Sequence, residues 1–300
     1  MNITLKQLKV FSAVARHGNL GDAAQALFLS RGALSQALQE LERQLATPLF
    51  DRIHPRLLLN SEGRLLQPLA EELLSRLDDI EGLFAEHGME RGRLRLGASQ
   101  TIGNYLLPTL LARFGMPGER LEVTISNSHQ LCDRLARFEL DLALIEGECH
   151  LSELVSEPWL SDEMVVVAHP DHQLCGLPDL RVAALAGERW VLREPQSGSR
   201  EQFDQRIRPQ LGRIGPILEL NTLESVMSAV ECALGLGLVS EWAARERLAQ
   251  KRLVRLDLAT TLERRLLLVW HRQKYLSAPM RHFLTFCRDQ VSADSNMPIT

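Results

Sequence analysis

An α/β multidomain chain is the fold class this sequence predicts: a helix-turn-helix with a wing, one long helix, then a two-lobed α/β body. Three observations predict it. Residues 20–45 carry helical apolar spacing broken once by a turn. Residues 61–86 place an apolar side chain at alternating steps of four and three. From residue 93 onward, short apolar runs alternate with amphipathic segments. A length of 300 residues suits two domains or three.

The first element is an amphipathic helix built on Leu5, Leu8, Phe11, Val14 and Ala15, ending near His17-Gly18. It is expected to pack under the next two helices as a three-helix core. A second helix covers 21–27, with Ala23, Ala24, Leu27 and Phe28 as its apolar positions. Ser30 reads as an N-cap, because its hydroxyl can accept from a free amide two or three residues on. A third helix follows to about residue 45, with Ala33, Leu34, Ala37, Leu38, Leu41 and Leu45 as a buried stripe. Arg31, Gly32, Ser35, Gln36 and Gln39 fall nearer the opposite face. Small and hydrogen-bonding residues at the start of such a helix let backbone approach DNA and side chains reach base edges. Plain helical-hairpin packing is the structural alternative.

Charge supports a division of labour. Residues 1–60 carry seven Lys or Arg against four acids, and the remainder carries 27 against 34. A basic head on an acidic body fits a DNA-binding module joined to a part that does not touch DNA. Thr47 to Leu59 contains two short extended pieces broken by Pro55, a β-wing that places Arg52 and Arg56 within reach of phosphate or the minor groove. Asn60 is expected to cap the long helix, whose seam is Leu66, Ala70, Leu73, Leu77, Ile80 and Phe84. A seam of that length outside a small domain predicts pairing with a second copy, that is, a homodimer, with packing within the same chain as the structural alternative. Pro68 falls early in it.

At this point the first 86 residues resemble the winged helix-turn-helix and linker helix of LysR-type transcriptional regulators. The residues carrying the resemblance are Leu5-Lys6-Gln7-Leu8-Lys9-Val10-Phe11, Ala23-Ala24-Gln25-Ala26-Leu27, the stretch 30–38, Leu41-Glu42, Thr47-Pro48-Leu49-Phe50-Asp51-Arg52, and Gly63. Two positions depart from the family: it usually has Gln near Arg31 and often a basic residue near Gln36. Both lie on the expected reading face, so the operator sequence is not transferable from relatives. The resemblance implies a double-stranded DNA operator, a small-molecule effector, and a homodimer that associates into a homotetramer and bends DNA.

A hinge is expected at Glu86-His87-Gly88-Met89-Glu90-Arg91-Gly92. Strands are expected at 93–97, 121–126, 142–146, 164–168, 190–192, 217–220, 236–240 and 265–270. Helices are expected at 102–114, 130–138, 200–211 and 223–234, from Glu241, and at 278–291, with a frayed tail at 292–300. The body therefore reads as two lobes with two crossings, near Ser161-Asp162 and Leu267-Leu268. It resembles the periplasmic-binding-protein-like effector domain of the same family. The expected boundaries are a DNA-binding domain at 1–60, a linker helix at 61–87 and an effector domain at 88–300. One lobe takes about 91–161 and 268–291, the other about 162–267.

Ligands of open α/β sheets sit beyond the carboxyl ends of strands. Three segments combine that address with anion-binding chemistry: Ser99-Gln100-Thr101, Asn127-Ser128-His129, and Ser197-Gly198-Ser199-Arg200. Glu146-Gly147 and Asn221-Thr222 share the address with less suitable chemistry. Helix capping alone explains Ser, Thr and Asn at such places. The phrase from Gly97 to Pro108 resembles regulators of sulfur and carbon assimilation genes, which implies a small inorganic or carboxylate anion.

Other readings find less support. His169-Pro170-Asp171-His172 and Cys149-His150 match no standard metal spacing. No cofactor loop appears, since Ala233-Leu234-Gly235-Leu236-Gly237 joins a helix to a strand, the reverse of dinucleotide binding. The alternative of an α/β enzyme with a helical appendage lacks any nucleophile motif. A solute receptor would need an export signal, and the alternating first nine residues do not form one. No membrane span is present, and five scattered cysteines suit reduced thiols, so a cytoplasmic location is expected.

Overall fold

The computed structural model describes residues 2–53, 56–83, 93–115 and 121–293. The chain opens with α1 (Leu5–His17), α2 (Leu20–Ala26) and α3 (Arg31–Leu45). Thr4 and Gln7 form a reciprocal capping box at the start of α1, and Gly18 ends it at φ +67°. Leu8, Phe11 and Val14 of α1 meet Ala23, Ala24, Leu34, Leu38 and Leu41 in one core. Three apolar positions read from sequence fall elsewhere, and one of them, Leu5, is exposed at the start of α1. Ala33 is exposed on α3. Phe28 is 96% exposed, because α2 stops at Ala26 and the left-handed backbone of Phe28 (φ +54°) swings its ring outward.

The wing is β1 (Phe50–Ile53) paired antiparallel with β2 (Arg56–Leu59). Phe50 tucks against Phe11, with ring centroids 5.6 Å apart. Asn60 accepts from the Gly63 amide at 2.8 Å, which starts α4 (Ser61–Leu83). A Cβ on Gly63 would lie 2.2 Å from the Leu49 carbonyl oxygen, so only glycine lets α4 pass this close to the wing. The expected hinge at 86–92, Phe84 and the tail at 294–300 lie outside the described residues.

The body contains β3 (Leu94–Ala98), α5 (Leu107–Phe114), β4 (Leu121–Ile125), α6 (Ser128–Ala136), β5 (Leu142–Glu146) and β6 (Leu154–Ala168). It continues with β7 (Trp190–Arg193), α7 (Gly198–Gln202), β8 (Ile217–Leu220), α8 (Leu223–Glu231) and β9 (Leu236–Ser240). It closes with α9 (Glu241–Ala249), β10 (Val254–Arg255), β11 (Leu262–His271) and α10 (Ala278–Ala293). The helices expected at 102–114 and 200–211 are composite. A π-helical turn at Ile102–Leu106 leads into α5, and α7 passes through a π-helical turn (Phe203–Ile207) into a 3-10 turn (Arg208–Gln210).

All the body strands join one sheet in the order β4-β3-β5-β11-β6-β9-β7-β8, with β10 on β6. Parallel triplets flank a long antiparallel pair, β6 with β11, which pairs Ser161 with Arg265 at its middle. The strand expected to begin at Met164 in fact begins at Leu154. Ser156, Pro158 and the charges Glu157 and Asp162 hide it from a hydropathy reading, and pairing to β11 holds it extended. Apolar cores lie on both faces of each half, built around Leu96, Leu144 and Phe283 in one and Trp190, Phe203 and Leu238 in the other.

The long helix is tied to this body. Gln67 donates to the Arg137 carbonyl at 2.9 Å, and Asp79 accepts from the Tyr275 hydroxyl at 3.0 Å. Glu71 meets Arg16 of α1 and Arg95 of β3, and Asp141 holds Arg95 and Lys274 at 2.6 and 2.8 Å. The Asp141 carboxyl is buried, which by itself raises its pKa, yet Lys274 and Arg95 hold it well below the ordinary range.

Candidate functional site

At the N-terminal end, Ser30 accepts from the Ala33 amide at 3.2 Å and starts α3 as a cap. Arg31, Gly32 and Gln36 are exposed and Ser35 is half-buried. A Cβ built on Gly32 meets nothing within 4 Å, so this face of the helix is open to close approach. Arg56 is exposed at the wing, opposite Ile53 in the ladder. The backbone of Arg52 pairs with Leu57, and its side chain lies outside the described residues. Arg31, Gly32, Gln36 and Arg56 are thus exposed polar or small positions on α3 and the wing.

The seam of α4 divides. Ala70 is fully buried in the winged-helix core, where Leu66 also packs, so neither faces outward as a seam position would. Among the described side chains of α4, Leu65, Leu69, Leu73 and Ile80 are the large apolar ones left exposed, at 73%, 58%, 51% and 54%. They follow steps of four, four and seven, one helical stripe displaced by a residue at its start.

In the body, the three polar segments meet across the two halves, around a residue that sequence reading did not single out. Arg264 on β11 has a fully buried side chain. Its guanidinium donates to Asp162 at 2.7 Å, to the Thr101 hydroxyl at 3.0 Å, to the Ser199 hydroxyl at 3.3 Å, and to Glu146. Glu146 in turn accepts from the Thr101 amide at 2.8 Å. Burial raises the Glu146 carboxyl, but Arg264 and Thr101 more than offset this and hold it below the usual range. For Asp162, burial wins over Arg264 and the Ser240 hydroxyl, so its carboxyl is pushed up. A signal for Arg264 was available: Leu262, Arg264 and Leu266 share the inward parity of the strand, with Glu263 and Arg265 facing out.

The remaining candidates serve mixed roles. Gln100 bridges the halves, donating to the Asn221 carbonyl at 3.1 Å and accepting from the Leu223 amide at 2.8 Å. Asn127 caps α6 and reaches Glu194 at 3.2 Å. Ser128 donates to the Glu146 carbonyl at 2.8 Å, and Ser197 caps α7. Gly198 packs on Glu146, with only 2.7 Å left for a Cβ before the Glu146 Cβ. Arg200 is engaged by Asp204 at 3.0 Å and the Arg193 carbonyl at 3.1 Å. His129 is exposed, 3.4 Å from Asp133. The Ser99 hydroxyl is buried close to Glu146, yet makes no hydrogen bond of good geometry.

Beside this network, a cavity of about 450 Å³ opens between α6 and α7, lined by Ser128, His129, Cys132, Gln196, Arg200 and Glu201 among others. Glu148, His150 and Glu201 bring ligand-type atoms within 4.8 Å of one another at its rim, an acid–histidine grouping in which only Glu201 is partly buried. Among the described residues no helix is long and apolar enough to cross a membrane.

The family models that match are the LysR substrate binding domain, over residues 87–292, and the bacterial regulatory helix-turn-helix protein of the lysR family, over residues 5–64. The chain is 40% identical over 292 residues to the HTH-type transcriptional regulator YeiE of Escherichia coli K12, covering 96% of this chain and 98% of that one. A full-length OxyR variant from Pseudomonas aeruginosa superposes with a TM-score of 0.74 at 21% identity, over 97% of this chain and 95% of that one. The CcmR regulatory domain of Synechocystis, solved in complex with 2-PG, superposes with a TM-score of 0.62 at 27% identity, over 69% of this chain and 99% of that domain.

Proposed function

This chain belongs to the LysR family of transcriptional regulators, and on that premise we propose that it binds a dyad-symmetric operator as a dimer and takes a small oxyanion or carboxylate into the cleft at Arg264. It is a regulator with a DNA-binding and an effector-binding domain, not an enzyme. Arg31, Ser35 and Gln36 read the major groove, and Arg52 and Arg56 hold phosphate or the minor groove. The dimer contact is the stripe Leu65, Leu69, Leu73 and Ile80, which α4 leaves exposed. Two dimers then associate through their effector domains into the tetramer that bends DNA.

One observation carries the effector reading. The Thr101 amide and the Arg264 guanidinium converge on a carboxylate, and that carboxylate is the protein's own Glu146. Donors placed for one anion serve another of similar shape. The Ser99 hydroxyl stands beside them, close to Glu146 but without a hydrogen bond of good geometry. An effector anion exchanges with Glu146, takes up Ser99, Thr101 and Ser199, and so alters the contact between the halves. To switch the protein it must bind one arrangement better than the other. That the related CcmR domain was solved with 2-PG supports a small-molecule effector at this domain.

The test is a thermal-shift panel of inorganic oxyanions, carboxylates and sugar phosphates on the full chain, repeated with Ser99→Ala and Ser199→Ala. A ligand at 100 times its Kd adds about 2.7 kcal/mol. One compound that shifts the native chain and neither variant supports the reading. A shift that survives both substitutions places the ligand elsewhere and refutes it.

A further inference from the structure

Cys132 and Cys149 lie 17 residues apart in sequence, and their Sγ atoms are 3.6 Å apart. Both are free thiols. A disulfide has an S–S length of about 2.05 Å, so closure needs a movement of roughly 1.5 Å. Cys175, Cys232 and Cys287 are also free. Among the described residues no other thiol–thiol contact is present; Cys175 donates to the His169 carbonyl at 3.4 Å.

The pair is placed where closure acts on the cleft. Cys132 is one helical turn beyond Ser128 on α6, and Cys149 is three residues beyond Glu146. Ser128 to the Glu146 carbonyl, at 2.8 Å, and Cys132 to Cys149 are therefore successive rungs joining α6 to one segment. That segment begins with the carboxylate that binds Arg264 and Thr101. It also carries Gly147 at φ +81°, so close to α7 that a Cβ would sit 2.5 Å from a Glu201 carboxylate oxygen. Cys132 lines the cavity of about 450 Å³, which gives a small reagent a route in. Cys149 is half-buried, and the hydrogen bond from Cys132 holds its thiol below the ordinary range, which makes it the readier thiolate of the two.

We propose that Cys132 and Cys149 form a reversible disulfide by exchange with low-molecular-weight disulfides, and that this pins residues 147–151 to α6 beside the Arg264 network. The Cys149 thiolate attacks one sulfur of the small disulfide, forming a mixed disulfide and releasing one small thiolate. Cys132 then attacks the Cys149 sulfur, closes the protein disulfide and expels the second small thiol. Two protein thiols are oxidised, one small disulfide is reduced to two thiols, and the two protein protons pass to those thiols.

The experiment equilibrates the full chain in buffers of reduced and oxidised glutathione at varied ratio, traps free thiols with N-ethylmaleimide and maps peptides by mass spectrometry. The expected product is one intrachain link between Cys132 and Cys149, two hydrogens lighter, rising with oxidised glutathione and removed by dithiothreitol. In Cys132→Ser, glutathione is expected to accumulate on Cys149, because nothing expels it. Cys175→Ser and Cys232→Ser are expected to oxidise like the native chain. Hydrogen exchange in residues 147–151 is expected to slow at least severalfold on oxidation of the native chain and to stay unchanged in Cys132→Ser. A pair that remains alkylated at every ratio overturns the proposal. So does a link to another cysteine or to a second chain, or an exchange rate in 147–151 that ignores oxidation.

Discussion

Arg264→Met removes the cation at the centre of the buried network that joins the two halves of the body. The side chain is fully buried, and Glu146 and Asp162, at 5% and 0% side-chain exposure, lose their shared partner. Breaking a buried ion pair from one side costs about 3–5 kcal/mol, because a charge is left without compensation. Here the loss is bounded by protonation. Without Arg264, both carboxyls rise above their unfolded values. The folded variant then binds protons more tightly than the unfolded chain, so its deficit shrinks as pH falls. In the native chain the two carboxyls oppose each other. Glu146 is held low, so its contribution is present above its ordinary value of 4.5 and is lost as pH falls. Asp162 is pushed up, so its contribution grows as pH falls through its folded pKa. All four tryptophans, Trp159, Trp190, Trp242 and Trp270, lie in the body, so fluorescence during urea unfolding reports that domain alone. The expected result is a loss of about 3–5 kcal/mol at pH 7.5 and a clearly smaller one at pH 5.5. The triple variant Arg264→Met, Glu146→Gln, Asp162→Asn is expected to recover most of it. A single-variant loss under about 1 kcal/mol, or one equal at the two pH values, refutes the reasoning.

Gly63→Ala is expected to cost about 1–3 kcal/mol in the winged helix by forcing a Cβ against Leu49, read by circular dichroism during melting, and an unchanged transition would show that α4 has room to shift. Ser30→Ala removes the cap of α3, with an expected loss of about 1 kcal/mol on the same assay; no loss would mean that water replaces the hydroxyl. Arg56→Ala is expected to weaken binding to every DNA sequence and reduce the slope of log K against log salt by about 0.9, measured by fluorescence anisotropy, and an unchanged slope would remove the wing from the interface. Leu69→Glu is expected to dissociate the dimer in sedimentation velocity while leaving the melting of the monomer unaltered; a persisting dimer would relocate the contact away from α4.

Much of the N-terminal region was legible because its signals are local. Capping by Ser30 and Asn60 depends on amides two or three residues away, and the stripe of α3 is a matter of helical period. Phe28 was misread for an equally physical reason. Its apolarity argues for burial, and only a left-handed backbone at the end of α2 turns it out. The seam of α4 drifted because a heptad reading does not know that the winged-helix core claims Ala70. In the body, the ends of strands and the capped helices announced where polar side chains would gather. They did not announce that Gln100 would be spent joining the two halves, or that Glu146 would hold the Thr101 amide.

The sequence by itself determined the order of the modules, the buried stripe and exposed polar positions of α3, the wing and the polar segments at the strand ends. These rest on periods, caps and turns, whose causes lie within a few residues. Only the tertiary structure decided which apolar stripe of α4 remains exposed, that Arg264 lies at the centre of a buried polar network, and that Cys132 meets Cys149. Glu146 and Arg264 are 118 positions apart, and Thr101 and Arg264 are 163 apart. Their meeting depends on how β5, β6 and β11 are ordered in the sheet, which no local preference encodes. A guanidinium in an inward strand position carries the same local signature whether it meets solvent or carboxylates. The partner brought to it by the sheet makes the difference.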